Sequence, residues 1–268
     1  VSSSAGQPAP VDVLVSYTGP GANATGVKIS PPALSVTAGD NFSFTATAVD
    51  ANGATIPNTP IIWTSLDPAV ATLTSAAAGA GTAKLVRGTA RIVTQLITSG
   101  NDTGILTVLP KAGAIAAASG AGQSGPGGVV LAQPIAVKVT ATDGLPMAGV
   151  SVTFSAGNGG TVGSANATTN ATTNANGLAQ TSWTLGPALG AQSVSATATG
   201  LTGSPVVFGA TATAGPATKL AVTTQPANGL AGVTLSAVVI TAQDASGNVA
   251  GSFSGPVTMT LAANPGGA

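Results

Sequence analysis

Short runs of strict alternation between apolar and polar residues recur along the chain. Phe42, Phe44, Ala46 and Ala48 alternate with Ser43, Thr45 and Thr47. Ile135, Val137, Val139 and Ala141 alternate with Ala136, Lys138, Thr140 and Thr142. Val150, Val152 and Phe154 follow the same rule, as do Val206, Phe208 and Ala210. A period of two predicts strands that bury one face and solvate the other, the habit of antiparallel sheets. Helix signals are nearly missing: there is no Glu, and 37 Gly and 18 Pro punctuate the chain. The expected fold class is therefore all-β.

Three segments share the form strand, Asp, turn. They are Thr45–Gly53, Val139–Gly144 and Val239–Gly247. Their aspartates, Asp50, Asp143 and Asp244, are spaced by roughly one sandwich domain of ~100 residues. Asp bonds the backbone two residues on and Gly accepts positive φ, so each pair makes a turn. The repeat unit is thus a whole domain. Residues 1–24 form a Ser/Gly/Pro-rich leader with one candidate strand at Val11–Tyr17. Residues 25–110 form a first module and residues 111–214 a second. Within the second, Ala114–Ala118 is expected as a short strand and Ser119–Gly128 as a flexible Gly-rich stretch. Residues 215–268 begin a third module of about four strands, opened by the hinge-like pair Gly215-Pro216.

Composition narrows what such modules can do. Hydrophobic residues make up 44% and charged residues 5%, so the chain has material for cores and a surface of Thr, Ser, Asn, Gln and Gly. The seven basic residues are scattered and offset by seven Asp, leaving no stripe for a phosphate backbone and no polybasic patch for a membrane surface. Neither Cys nor His occurs, which removes disulfides, thiolate metal sites and the commonest general base. No run approaches the ~20 apolar residues of a membrane span. The chain begins at Val1 without Met, which fits a mature product after signal-peptide removal and a trimmed chain equally.

Residues 114–214 resemble the bacterial Ig-like domains of the invasin/intimin type. The resemblance is carried by Gln133-Pro-Ile-Ala-Val, Asp143-Gly, Pro146-Met-Ala-Gly-Val-Ser-Val-Thr-Phe154, Asn176-Gly-Leu-Ala, Trp183-Thr-Leu-Gly186 and Val206-Val-Phe-Gly-Ala-Thr-Ala212. Residues 25–110 resemble a second bacterial Ig-like family through Ile29-Ser-Pro-Pro, Ser35-Val-Thr-Ala-Gly-Asp40, Ile62-Trp-Thr-Ser65, Ala69-Val-Ala-Thr-Leu73 and Gly88-Thr-Ala. The segment from Thr218-Lys-Leu-Ala-Val-Thr-Thr-Gln-Pro226 looks like the opening of another repeat. These resemblances imply tandem immunoglobulin-like Greek-key sandwiches, the last incomplete, in an exported structural or adhesive protein. They bring no active site, and no candidate receptor-binding domain is visible.

Candidate chemistry is sparse. Asp50, Asp143 and Asp244 invite comparison with Ca²⁺ sites at the domain ends of cadherin-like arrays. Such a site wants ~6–8 oxygen ligands, and each turn offers one Asp with Asn52 or Asn248 nearby, so turn formation is the favoured reading. Trp63 and Trp183 lie in strands at core phase, which favours packing over sugar stacking. Without His only a Ser–Lys hydrolase remains, and no nucleophile elbow or suitably placed Lys appears. Asn23, Asn41, Asn101, Asn166 and Asn170 open N-x-Ser/Thr sequences, read as Asn in polar loops. The repetitive segment Asn166–Asn176 is expected as a loop or a ragged edge strand. No catalytic, cofactor-binding or metal-binding residue is assigned, and no cofactor is expected.

The leading expectation is a non-catalytic extracytoplasmic scaffold or stabilising accessory subunit of an envelope- or membrane-associated assembly. The extrinsic subunit of a bacterial photosynthetic reaction-centre–antenna complex is one such role. A stalk fragment of a large cell-surface adhesin and the non-catalytic modules of an exported enzyme are the alternatives. Partners are expected to be proteins, contacted through the leader and the partial third module, with no nucleic acid and no membrane span. The leader lacks the apolar mass to offset an ordering cost of ~1–2 kcal/mol per residue. Val233, Leu235, Val257, Met259 and Leu261 would face water unless a partner or further sequence covers them.

Overall fold

The computed structural model describes residues 19–98, 100–230 and 232–260. The candidate strand at Val11–Tyr17 and Leu261 lie outside these residues. The described chain is all-β, without a helix, and is built as tandem immunoglobulin-like sandwiches of which the last is incomplete. It divides into two compact units, Val1–Lys111 and Ala112–Ala268.

The first unit contains β1 (Gly26–Ser30), β2 (Ala33–Thr37), β3 (Asn41–Ser43), β4 (Thr45–Val49) and β5 (Ile61–Ser65). It continues with β6 (Ala71–Leu73), β7 (Ala80–Ala83), β8 (Gly88–Leu96) and β9 (Asn101–Leu109). Four strands form the sheet β2-β9-β8-β5, in which β2 joins β9 in parallel. β1 pairs with β4, and β3-β7-β6 form a third small sheet. The alternating run from Phe42 to Ala48 is therefore not one strand. It breaks at Phe44, whose amide bonds the Gly79 carbonyl at 2.9 Å, and the halves join different sheets. The break keeps Phe42 and Phe44 in one core, edge to face at 6.1 Å, with Trp63, Ile92, Leu106 and Val108. Ala24, expected in the leader, is buried beside Val27, Ala48 and Leu96.

The second unit contains β10 (Ala112–Ser119), β11 (Gln123–Pro126), β12 (Ile135–Ala141), β13 (Ser151–Ala156), β14 (Thr161–Val162) and β15 (Thr168–Thr172). β16 (Leu178–Thr181), β17 (Trp183–Thr184), β18 (Gly190–Thr197), β19 (Val206–Thr213), β20 (Lys219–Thr224) and β21 (Val239–Gln243) follow. A three-stranded sheet, β10-β12-β16, and a five-stranded one, β11-β19-β18-β13-β15, supply the main layers. Val152, Phe154, Trp183, Val194 and Phe208 from these layers and from β17 share one core with Ile135, Val137 and Val139. Ala141 is buried but stands outside that cluster.

Two expectations need correction here. The Gly-rich stretch Ser119–Gly128 is not a loose connector, because it holds β11, paired in parallel with β19 from Gln123↔Ala210 to Pro126↔Thr213. Gln123 staples it: its side-chain amide nitrogen donates to the carbonyls of Gly120 and Gln133, both at 2.9 Å, and its oxygen accepts the Gln133 amide. The third module shows two strands rather than four among the described residues, the antiparallel pair β20–β21. Leu230, Val233, Leu235, Val257 and Met259 are exposed, so the alternation around them has no sheet face to bury into and no strand forms.

Candidate functional site

Aspartates supply all the side-chain carboxylates of the chain, and their partners show how they are used. Asp50 Oδ1 accepts the amides of Asn52 (2.8 Å) and Ala54 (2.9 Å), and Gly53 closes the turn at φ 82°. Asp143 Oδ1 accepts the Leu145 amide at 3.0 Å beside Gly144 at φ 79°. Asp102 caps the amides of Ile29 and Thr103, each at 2.8 Å. Asp67 takes Arg91 in a fork, Nε at 3.0 Å and Nη2 at 3.3 Å, and also accepts the Arg91 amide at 2.9 Å. The Arg91 side chain holds the Asp67 carboxyl below the usual carboxylate range, and the Arg91 guanidinium is raised in turn.

Asp244 differs from its counterparts. Its Oδ1 accepts the Asn248 amide at 2.8 Å, the expected turn bond. Its Oδ2 reaches back 29 residues to the Gly215 amide at 2.9 Å and also takes Asn248 Nδ2 at 3.2 Å. Only 3% of the residue is exposed. The Gly215 amide is the main cause holding this carboxyl below the usual range; Asn248 and the Ser246 amide add to it, and burial opposes them. The same loop donates Ser246 Oγ to the Gly127 carbonyl at 3.0 Å and Asn248 Nδ2 to the Pro187 carbonyl at 2.9 Å. An apolar cleft of about 190 Å³ sits beside it, lined by Pro126, Gly127, Val129, Pro216 and Ala245 among others. All three turn aspartates that look alike in sequence accept a local turn amide, and Asp244 also clasps Gly215. Gly215 and Asn248, the partners in the clasp, were not singled out from sequence as a pair; the spacing Asp244-x-x-x-Asn248 is the signal they left.

Trp63 and Trp183 are buried, and Trp183 Nε1 has no hydrogen-bond partner among the described residues. An open cleft of about 650 Å³ in the first unit is lined by Ala46, Thr59–Trp63, Ala76 and Ala77, none of them ionisable. Among the described residues no three carboxylates gather as metal ligands, and no helix is long and apolar enough to cross a membrane. Asn23, Asn41, Asn101, Asn166 and Asn170 are all exposed, but three of them stand in strands rather than loops: Asn41 opens β3, Asn101 opens β9 and Asn170 lies within β15. Asn166–Asn176 is an edge strand and its flanking turns, one of the two forms expected for it.

No protein-family profile matches the chain, and no curated protein sequence does. Several solved structures are similar. The Yersinia pseudotuberculosis adhesin InvE is 18% identical over 69% of this chain and 58% of its own, at a TM-score of 0.35. The Escherichia coli adhesin FdeC is 18% identical over 69% of this chain and 63% of its own, at 0.46. Domains 4 and 5 of the S-layer protein SbsC are 17% identical over 72% of this chain and 100% of that fragment, at 0.34. The chain therefore spans less than two thirds of the two adhesin structures. Nothing in the fold or these likenesses points to a photosynthetic complex. The functional reading rests on the residues themselves.

Proposed function

We propose that the protein is a non-catalytic, extracytoplasmic structural and interaction module: a scaffold or stabilising element of an envelope- or membrane-associated assembly. The observation that carries this reading is the use of the carboxylates. Asp50, Asp67, Asp102, Asp143 and Asp244 all accept backbone amides, so they brace loops and strand ends. With no His, Cys or Glu in the sequence, little else remains to run a reaction. Protein partners are favoured by the third module, where Val233, Leu235, Val257 and Met259 stand exposed.

A stalk or spacer role within a larger surface protein is favoured by a separate observation. The Asp244 loop holds Gly215 at the start of the third module and bonds Gly127 and Pro187 of the second, which suits an element that must hold a direction. Immunoblotting of fractionated cells tests both ideas. A product of about this size that co-purifies with envelope partners supports the scaffold. A product many times larger, cleaved by protease added to intact cells, supports the stalk. Recovery in the cytoplasm alone overturns export.

A further inference from the structure

The five-stranded sheet of the second unit ends on β15, a short edge strand without Lys, Pro or a bulge. β15 pairs with β13 from Ser151↔Thr172 to Ser155↔Thr168 without a bulge. The Thr173 amide bonds the Val150 carbonyl at 2.9 Å, and the Ala156 amide bonds the Ala167 carbonyl at 2.8 Å. Antiparallel bonding alternates, so Thr168, Asn170 and Thr172 turn their amides and carbonyls to the opposite side, where no described strand pairs with them. Sheets normally blunt such an edge with Lys, Pro or a bulge. β11, at the other edge, ends on Pro126; β15 reads Thr-Thr-Asn-Ala-Thr.

Those outward-turned residues also read alike in both directions. Laid antiparallel on a second β15 about Asn170, Thr168 faces Thr172 of the other copy and Asn170 faces its own equivalent. Cross-strand Thr pairs are favourable, and like charges directly opposite would forbid the match. No charged residue lies on β15 or on β13 behind it. Asn170 Oδ1 is already taken by Thr153 Oγ1 at 2.8 Å, which orients the side chain and leaves its NH₂ for a partner. We propose that β15 is a homotypic docking edge. A second copy of the chain adds its own β15 in antiparallel register and joins the two five-stranded sheets into one. A strand of five residues gives a weak contact in isolation, and it gains strength where many copies are arrayed together. The inference goes beyond the scaffold and stalk readings and depends on neither.

The absence of Cys makes a clean test in the full chain. In the proposed register the two Asn170 Cα atoms lie ~5.5 Å apart, within the ~4.4–6.8 Å that a disulfide bridges. Asn170→Cys is compared with Ser193→Cys, an exposed position on β18 in the middle of the same sheet. Rates are normalised to each thiol's reaction with a small disulfide reagent. The expected result is a disulfide-linked dimer forming at least ~10-fold faster for N170C, because docking raises the local thiol concentration. Asn170→Lys, which sets two ammonium groups opposite each other, should weaken dimerisation about fivefold in sedimentation with an unchanged melting temperature. Equal crosslinking of N170C and S193C, or identical sedimentation of N170K and the unsubstituted chain, overturns the proposal.

Discussion

Trp183 offers a test in which two known costs oppose each other. Its side chain is fully buried in the core of the second unit, and its indole N–H meets no acceptor among the described residues. A stranded buried donor costs about 1–3 kcal/mol. Trp183→Phe removes that donor. It also leaves a void of roughly 40 Å³, which at ~24 cal/mol per Å³ costs about 1 kcal/mol. Burial lost with the missing ring carbons costs about 1 kcal/mol more. The gain and the losses are of one size, so W183F should lie within about 1 kcal/mol of the parent stability. Trp183→Ala, with no such relief in proportion, should cost at least ~3–5 kcal/mol. Trp63 is the comparison: it lines an open cleft and its indole nitrogen is not stranded, so W63F should cost about 2 kcal/mol without compensation. Urea unfolding followed by circular dichroism, with amide exchange on β12, β13 and β18, reads the second unit without using tryptophan fluorescence. A W183F loss of ~3 kcal/mol or more would show that packing, not the stranded donor, governs this site.

The remaining expectations address other sites. A Cβ at Gly104 would sit 2.8 Å from both Ile29 Cδ1 and Phe44 Cε1, so Gly104→Ala should destabilise the first unit by ~1–3 kcal/mol, read by Trp63 fluorescence during unfolding; an unchanged midpoint refutes the packing. Asp244 has a depressed folded-state pKa, so its contribution is fully present above the ordinary Asp value of ~3.9 and is lost as pH falls through the lower folded value. The Gly215 amide proton should accordingly shift upfield in an NMR titration only in that acid window, and movement near neutrality would contradict the assignment. Chelator, or added Ca²⁺, should move the melting temperature by less than about 1 °C, since Asp50, Asp143 and Asp244 serve as backbone acceptors; a shift of several degrees would mean a metal occupies the turns.

Period-two alternation made the strands of the second unit legible: Val206–Thr213 buries alternate side chains as its sequence suggests, and Ile135–Ala141 does so from Val137 onward, with Ala136 buried on the face expected to meet solvent. Alternation says nothing, however, of which partner a strand chooses. Phe42 to Ala48 keeps its period across a break in which the chain leaves one sheet for another, and only the Gly79 carbonyl waiting for Phe44 reveals the break. Composition misled at Ser119–Gly128. Glycine there signals freedom, whereas the backbone bonds to β19 and the Gln123 staple supply the order that side-chain packing does not. The third module failed in the opposite sense. Its apolar residues alternate well, yet a strand needs a covered face as well as a pattern, and Val233, Leu235, Val257 and Met259 have none among the described residues.

The three aspartate turns show why local sequence under-determines a site. Asp50, Asp143 and Asp244 share one motif and one local chemistry, an Asx-type turn closed by a glycine at positive φ. What separates Asp244 is burial: it is almost wholly enclosed where Asp50 and Asp143 are half-buried, and both of its oxygens accept hydrogen bonds. In Asp244 the second oxygen meets an amide 29 residues away, at the Gly-Pro pair that reads in sequence as a hinge. Proline at 216 has no amide of its own to offer, so Gly215 supplies the donor at this joint. A dipeptide that signals flexibility in isolation thus becomes the fixed end of a hydrogen bond once a buried carboxylate is placed against it. Asp244→Asn should loosen the joint, while the equivalent change at Asp50, whose side chain serves its own turn in the first unit, leaves the β20–β21 hairpin untouched. Residual dipolar couplings on that hairpin tell the difference, and equal loosening by both changes would remove the clasp from consideration.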